Sequence, residues 1–340
     1  MRPHAPPPRR QRGMAPPRHQ RGMALLLAMI VVALITAAAA AMVWQQERAV
    51  AIEGAERARA QSAWILNGAL DWARLILRED ERTTRRNGTA VDSLDEPWAQ
   101  PLAEARLSSF LAADRDNNAD SGPEAFISGA IEDAQSRLNL QGLVDANGKV
   151  DTALQEALAR LVQLVGAPAD ATAQLVAAVQ GSPTAETAAQ VAAGASGVPR
   201  VALRPTRWDE LAWFGVDAAT LARLAPFADL LPQPSPVNVN TAPREVLAAA
   251  IPQIDMGRAE RIVQQRQRQP FRSLAELQPL LPDGVEAKPQ RLAVSSLMFH
   301  VAGRLRLEER VLEERSLLLR RDGRVDVLQR ERRSFALPPP

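Results

Sequence analysis

Apolar and polar positions divide this chain into four regimes. Residues 23–44 run for 22 positions without a charge, and Thr36 is their only polar side chain. As a helix rising about 1.5 Å per residue, the run is long enough to cross a bilayer core of about 30 Å, with its backbone polar groups satisfied internally. From Gln45 the pattern turns amphipathic: Ile52, Ala55, Ala63, Leu66, Leu70, Ala73 and Leu77 recur at helical steps among Glu and Arg, and no proline interrupts residues 23–96. The spacing predicts one long helix that ends before a turn at Asn87-Gly88.

The next regime is mixed. Leu94-Asp95-Glu96-Pro97-Trp98 reads as a loop with an aromatic anchor, 125–132 as a strand, 133–136 as a turn and 137–140 as a second short extended piece. Residues 144–290 are rich in Ala and Leu and predict helices over 152–165, 169–179, 218–224 behind Asp217, and up to Phe214 behind Thr206. Pro232, Pro234 and Pro236 break the pattern. A helical module follows over 237–281, with starts at Thr241-Ala242-Pro243-Arg244-Glu245 and at the capping box Ser273-Leu274-Ala275-Glu276. Strand character returns over 291–307, and 316–321 and 324–330 flank Asp322-Gly323, a two-residue hairpin signal.

Strands on both sides of a helical block predict an α+β fold: a long N-terminal helix and a small antiparallel sheet, interrupted by a large all-α inserted domain. The expected segments are 1–22 as a basic leader, 23–44 as the transmembrane part of the helix and 45–88 as its amphipathic continuation. Then come 89–143 as the first part of the α/β body, 144–290 as the insert and 291–335 as the second part of the body.

Charge changes this picture at one place. Arg2, Arg9, Arg10, Arg12, Arg18 and Arg21 precede the apolar run with no acidic residue, an imbalance that holds the N-terminus in the cytoplasm and sends the rest outward. Without those six, 35 basic residues stand against 39 acidic ones, so the remaining chain has no bulk electrostatic footprint for nucleic acid. There is no cysteine, which excludes disulfides, thiolate metal sites and a cysteine nucleophile. Beyond His4 and His19 of the leader, His300 is the single histidine, and any Ser-His-Asp chemistry would have to use it.

The leader ends Gln20-Arg21-Gly22 directly against the apolar run. Its one small-residue cut lies before the apolar core, where a secretory signal would place it after. This resembles the class III signal of type IV pilins and type II secretion pseudopilins, cut between Gly22 and Met23. Four stretches in order extend the resemblance: Arg21-Gly22-Met23-Ala24-Leu25-Leu26-Leu27, Leu94 to Trp98, Glu132-Asp133-Ala134-Gln135-Ser136-Arg137-Leu138-Asn139-Leu140, and Val237-Asn238-Val239-Asn240-Thr241-Ala242-Pro243-Arg244-Glu245-Val246-Leu247. On these the chain resembles the general secretion pathway protein K family (GspK), the large minor pseudopilins of type II secretion.

The resemblance implies a pilin-like fold and a structural, non-enzymatic subunit at the tip of the secretion pseudopilus. It implies cleavage by prepilin peptidase after Gly22, methylation of the Met23 amine, and an inner-membrane protein with a periplasmic C-terminal domain. The implied partners are the I- and J-type minor pseudopilins, met through the N-terminal helix, and the major pseudopilin. Leu27 stands at the fifth position of the expected mature chain, where most pilins carry Glu; an apolar residue matches the K family and an end position in the assembly.

Two other chemistries are readable. The module 237–281 resembles a helix-hairpin-helix domain, whose hairpins grip phosphate with backbone N–H groups, here over 251–257, beside a basic face of Arg258, Arg261, Arg266 and Arg268. A membrane-anchored DNA receptor of competence type is therefore the alternative, although no nucleic-acid partner is expected of an exported domain of this charge. Asp114, Asp116, Asn118 and Asp120 alternate as oxygen ligands for calcium, without the Gly and Glu that an EF-hand loop would place at its sixth and twelfth positions. No catalytic cofactor is expected; members of the K family bind calcium, which would serve as a structural ion.

Overall fold

In the computed structural model, residues 20–86, 88, 90–107, 125–145, 147–181, 204–307 and 310–336 are described. A single helix, α1 (Gln20–Arg86), runs for 67 residues without a break. Contacts divide the chain into two units, one ending at Ala63 and the other beginning at Trp64. In the first unit the apolar side chains of 23–44 are all exposed, as a lipid-facing helix requires, and Thr36 returns its hydroxyl to the carbonyls of Val32 and Ala33. Apolar length and composition make this the one described helix able to cross a membrane.

The second unit is built on an antiparallel sheet. Strands β1 (Leu102–Arg106) and β2 (Ala125–Asp133) precede the helical insert. Inside it lie four two-residue strands: β3 (Leu138–Asn139), β4 (Ala228–Asp229), β5 (Val237–Asn238) and β6 (Leu292–Ala293). Strands β7 (Met298–Leu307), β8 (Arg310–Arg321) and β9 (Arg324–Ala336) follow. The sheet order is β1-β2-β7-β8-β9, every pair antiparallel, so the chain leaves the sheet after Asp133 and re-enters beside it at Met298. From α1, Leu70, Ala73 and Leu77 bury against Phe299, Val301, Leu318 and Val325, which removes one face of the sheet from water.

The insert carries α2 (Thr152–Leu164), α3 (Ala171–Gln180), a 3-10 turn (Asp209–Phe214), α4 (Ala218–Leu224), α5 (Arg244–Ala250), α6 (Met256–Arg268) and α7 (Leu274–Leu277). Its core gathers Leu158, Leu161, Leu175, Leu211, Leu224, Val246, Leu247 and Ile262. Asp151, Asp217 and Asp255 accept from the backbone N–H groups of Leu154, Thr220 and Arg258 and so start α2, α4 and α6. Gly181 ends α3 at φ 76°, a left-handed position that glycine adopts without strain.

Several local expectations change. The run 291–307 is two strands, because at Ser296 the backbone N–H turns away to the Asp92 carboxylate. The piece at 137–140 pairs in parallel with β4, and Val237–Asn238 pairs in parallel with Leu292–Ala293, so the block 144–290 expected as all-α holds two short strands of its own. Behind Thr206 stands a 3-10 turn. The expected capping box does not form: Ser273 makes no side-chain cap, and Glu276 accepts instead from the N–H of Arg272, one residue before the cap, at 2.9 Å.

Candidate functional site

The sheet and the insert meet in a buried polar cluster assembled by the motif residues. Asp133 ends β2 with its carboxylate inward. Its Oδ2 accepts from Thr241 Oγ1 at 2.5 Å, Ser296 Oγ at 2.6 Å and Asn238 Nδ2 at 3.0 Å, and its Oδ1 accepts from Gln135 N–H at 2.8 Å. Asn238, fully buried, also donates to the Asp92 carbonyl, while its own Oδ1 accepts from Asn240 N–H. Asn240 then reaches Phe271 in both directions, donating to its carbonyl and accepting from its N–H at 2.9 Å. Burial raises the Asp133 pKa above the usual carboxylate range, against the opposing hydrogen bonds from Ser296 and Thr241. The alternation in Val237-Asn238-Val239-Asn240 makes this possible: the valines enter the apolar core of the insert while the asparagines face the seam.

A second layer lies beside it. Arg320 on β8 pairs with Asp92 and, at 2.7 Å, with Asp80 on α1, and it donates to the Ser296 carbonyl. Its guanidinium lies 4.6 Å from the centre of the Phe299 ring, which packs edge-to-face with Trp98 at 5.2 Å between ring centroids. Burial alone would lower the Arg320 pKa, but Asp92 and Asp80 hold it above its ordinary value. Glu96 accepts from the Trp98 indole N–H at 2.5 Å; burial, reinforced by Asp80, raises its pKa to about 7. Trp98 is buried, the anchor that its loop suggested.

Asp80, Asp92 and Glu96 bring three carboxylates within 4.8 Å of one another, a spacing that could suit a metal ion. The donor set does not fit one: Arg320 already occupies Asp80 and Asp92 as their cation, and Glu96 is engaged by the Trp98 indole N–H and the Ser93 backbone N–H. Asp114, Asp116, Asn118 and Asp120 lie outside the described residues.

Gly22, Met23 and Leu27 all fall in the first turns of α1, with Met23 and Leu27 exposed. His300 Nε2 is 2.5 Å from Asp229 Oδ2, joining β7 to β4. Asp229 Oδ1 accepts from Leu230 N–H, and Arg137 stands 3.8 Å away. This contact ties insert to sheet with no hydroxyl nucleophile in the hydrogen-bonded set.

Of the four arginines expected on the basic face of the helical module, Arg261 and Arg268 are exposed and Arg258 is half-buried, but Arg266 turns inward. Arg266 is buried and donates to the carbonyls of Val239 and Ala242 at 2.7 and 2.6 Å; burial lowers its pKa to about 10, still charged at neutral pH. At the turn before α6 the Asp255 carboxylate takes the Arg258 N–H that a phosphate would need, and places a negative charge there. The sequence pattern singles out neither Ser296 nor Arg320, and marks Asp133 only as a turn residue within a family-like motif; Asp133 meets Ser296 across 163 positions and Arg320 meets Asp80 across 240, beyond any local pattern.

Two family models described as Type II secretion system (T2SS), protein K, match residues 136–233 and 237–295. Type II secretion system protein K of Pseudomonas aeruginosa is 32% identical over 330 residues, covering 93% of this chain and 94% of the relative. The protein of the same description from Pectobacterium carotovorum is 29% identical over 345 residues, covering 95% and 96%. Among solved structures, the GspK-GspI-GspJ complex from the enterotoxigenic Escherichia coli type 2 secretion system contains a chain matched with a TM-score of 0.61 at 20% identity, over 82% of this chain and 98% of that one.

Proposed function

This chain belongs to the type II secretion system protein K family, the minor pseudopilins of that system, and we propose that it caps the secretion pseudopilus as a processed, non-catalytic tip subunit. The observation that carries the reading is α1. It passes without a break from the Gly22-Met23 junction, through 22 apolar positions, to the sheet that buries Leu70 and Leu77. Prepilin peptidase removes the basic leader after Gly22, and the new Met23 amine is methylated. The apolar helix then holds the protein in the inner membrane, N-terminus inward and the sheet and insert in the periplasm, until it packs among other pseudopilin helices.

The partners on this reading are I- and J-type minor pseudopilins, met along the amphipathic part of α1, and the major pseudopilin below. The neighbouring fold comes from a complex of that composition. Residues 134–297 add a helical block beyond the sheet, whose bulk is an obstacle to stacking another subunit above, and apolar Leu27 is consistent with an end position. Calcium belongs to the proposal at Asp114, Asp116, Asn118 and Asp120, supported by their alternation alone. A DNA-receptor role finds no support in the buried Arg266 or the Asp255 cap.

The test is co-isolation. Full-length protein extracted from membranes of cells carrying the whole secretion system should bring down two smaller pilin-like subunits in fixed ratio. Recovery alone, or with DNA that elutes as salt is raised, would refute the tip assignment.

A further inference from the structure

The face of the sheet turned away from α1 carries the insert, and a cleft of about 540 Å³ lies between the two. His300 and Leu317 are cross-strand partners on this face; His300 is bonded to Asp229 of the insert, and Leu317 clusters with Leu231. Ala302 and Arg315 form the next pair on the same face, so the Arg315 side chain rises beside them with only a methyl group across from it on β7.

Charge in the cleft is almost balanced. Glu132 is held by Arg137 at 2.7 Å, Asp229 by His300 at 2.5 Å, Asp209 by Arg207 at 3.5 Å and Glu331 by Arg333 at 2.8 Å. Those four are the carboxylates that line the cleft among the described residues, and Arg330 is matched by Glu314 at 3.3 Å. One lining cation is left over. Arg315 is exposed and makes no ion pair or hydrogen bond among the described residues. Glu331 stands directly opposite it on β9, but that carboxylate is taken by both Nε and Nη2 of Arg333.

A guanidinium keeps its charge throughout the physiological range, and an unmatched charge in a cleft with low-dielectric walls draws in its opposite. The walls here supply that setting: Leu230, Leu231 and Leu317 are buried and Trp208 half-buried. One spare guanidinium matches one planar carboxylate through two parallel N–H···O bonds. A doubly charged phosphate would meet four carboxylates with a single free cation, and an ammonium would add to the surplus.

We propose that the cleft between insert and sheet binds a single carboxylate carried on an apolar body, seated on Arg315. The site lies on the opposite face of the sheet from α1, so it goes beyond the tip assignment and stands apart from how partners pack along that helix.

The test uses full-length protein in lipid nanodiscs, titrated with 3-phenylpropionate, with its amide and with acetate, and read by ligand-detected NMR. Wild type should bind 3-phenylpropionate roughly tenfold more tightly than either of the others. Arg315→Gln, a change at an exposed position, should bind the acid no better than the amide. Glu331→Gln leaves Arg333 unmatched as well and should bind the acid more tightly than wild type. Equal binding of acid and amide by wild type, equal binding of acid and acetate, or acid binding that neither variant moves, overturns the site. Competition then separates two sources of such a group. Displacement of 3-phenylpropionate by N-acetyl-phenylalanyl-glutamate amide places the carboxylate on a protein segment, and resistance to it assigns the cleft to a small organic acid.

Discussion

Asn238 Nδ2 stands 3.0 Å from Asp133 Oδ2, so the second residue of the helical module is bonded to the last residue of the strand from which the insert departs. Asn238 is the donor to three buried acceptors: Asp133 Oδ2, the Asp92 carbonyl and Ser296 Oγ. Asn238→Ala leaves Asp133 and the Asp92 carbonyl short of a donor at once, and we expect a loss of about 2–3 kcal/mol. Urea unfolding of the full-length protein measures it; a midpoint equal to wild type would show the seam to be dispensable.

Stability should depend on pH through Glu96. Its pKa is raised to about 7 by burial first and by the Asp80 charge second, so the folded state holds a proton that the unfolded chain releases near the ordinary glutamate value of 4.5. The stabilising effect is therefore complete below about pH 4.5 and is lost as pH rises toward about 7. Asp80, likewise raised by burial, adds in the same direction, and the Asp92 charge reinforces the rise at Glu96. Melting temperature across this range should fall for wild type and fall less for Glu96→Gln, which keeps an acceptor for the Trp98 indole. Parallel curves for the two proteins would contradict the assignment.

Much of this architecture could be read from the chain, and the reason differs by element. The long helix and the Asp322-Gly323 hairpin are local: one follows from uninterrupted apolar spacing, the other from two successive residues that accept positive φ, here 54° and 75°. Strand β1 at the sheet edge reads Leu-Ala-Glu-Ala-Arg, without a β-branched or aromatic residue, so its composition does not mark it as a strand. The parallel pairs of β3 with β4 and β5 with β6 are two residues long and join distant segments, so no window along the sequence contains them. The seam shows the same limit. Its asparagines were visible as part of a motif, but their partners Asp92, Asp133 and Ser296 are set by the tertiary fold alone.

The paired glycines of the sheet should tolerate a methyl group unequally. A Cβ at Gly129 would meet the Ala302 carbonyl oxygen at 2.9 Å, and backbone cannot yield; at Gly303 it would meet the end of Leu66, which can. Gly129→Ala should cost about 1–3 kcal/mol and Gly303→Ala clearly less. Thermal unfolding of both variants checks the order, and a reversed order would contradict the packing described here.

Arg266 is a clasp within the insert. Replacement by methionine keeps apolar bulk but strands the carbonyls of Val239 and Ala242, and a loss of about 2 kcal/mol is expected. DNA binding, measured at low salt, should be negligible before and after the change. Salt-dependent binding that disappears with Arg266 would revive the receptor reading.

The most direct measurement is the intact mass of the protein extracted from membranes of cells with a working secretion system. The account predicts a chain that begins at Met23 with a methylated amine, retains the entire apolar segment 23–44, and loses this processing when Gly22 is replaced by a bulkier residue. A native protein that still carries residues 1–22, or a Gly22 variant cut like wild type, would contradict it.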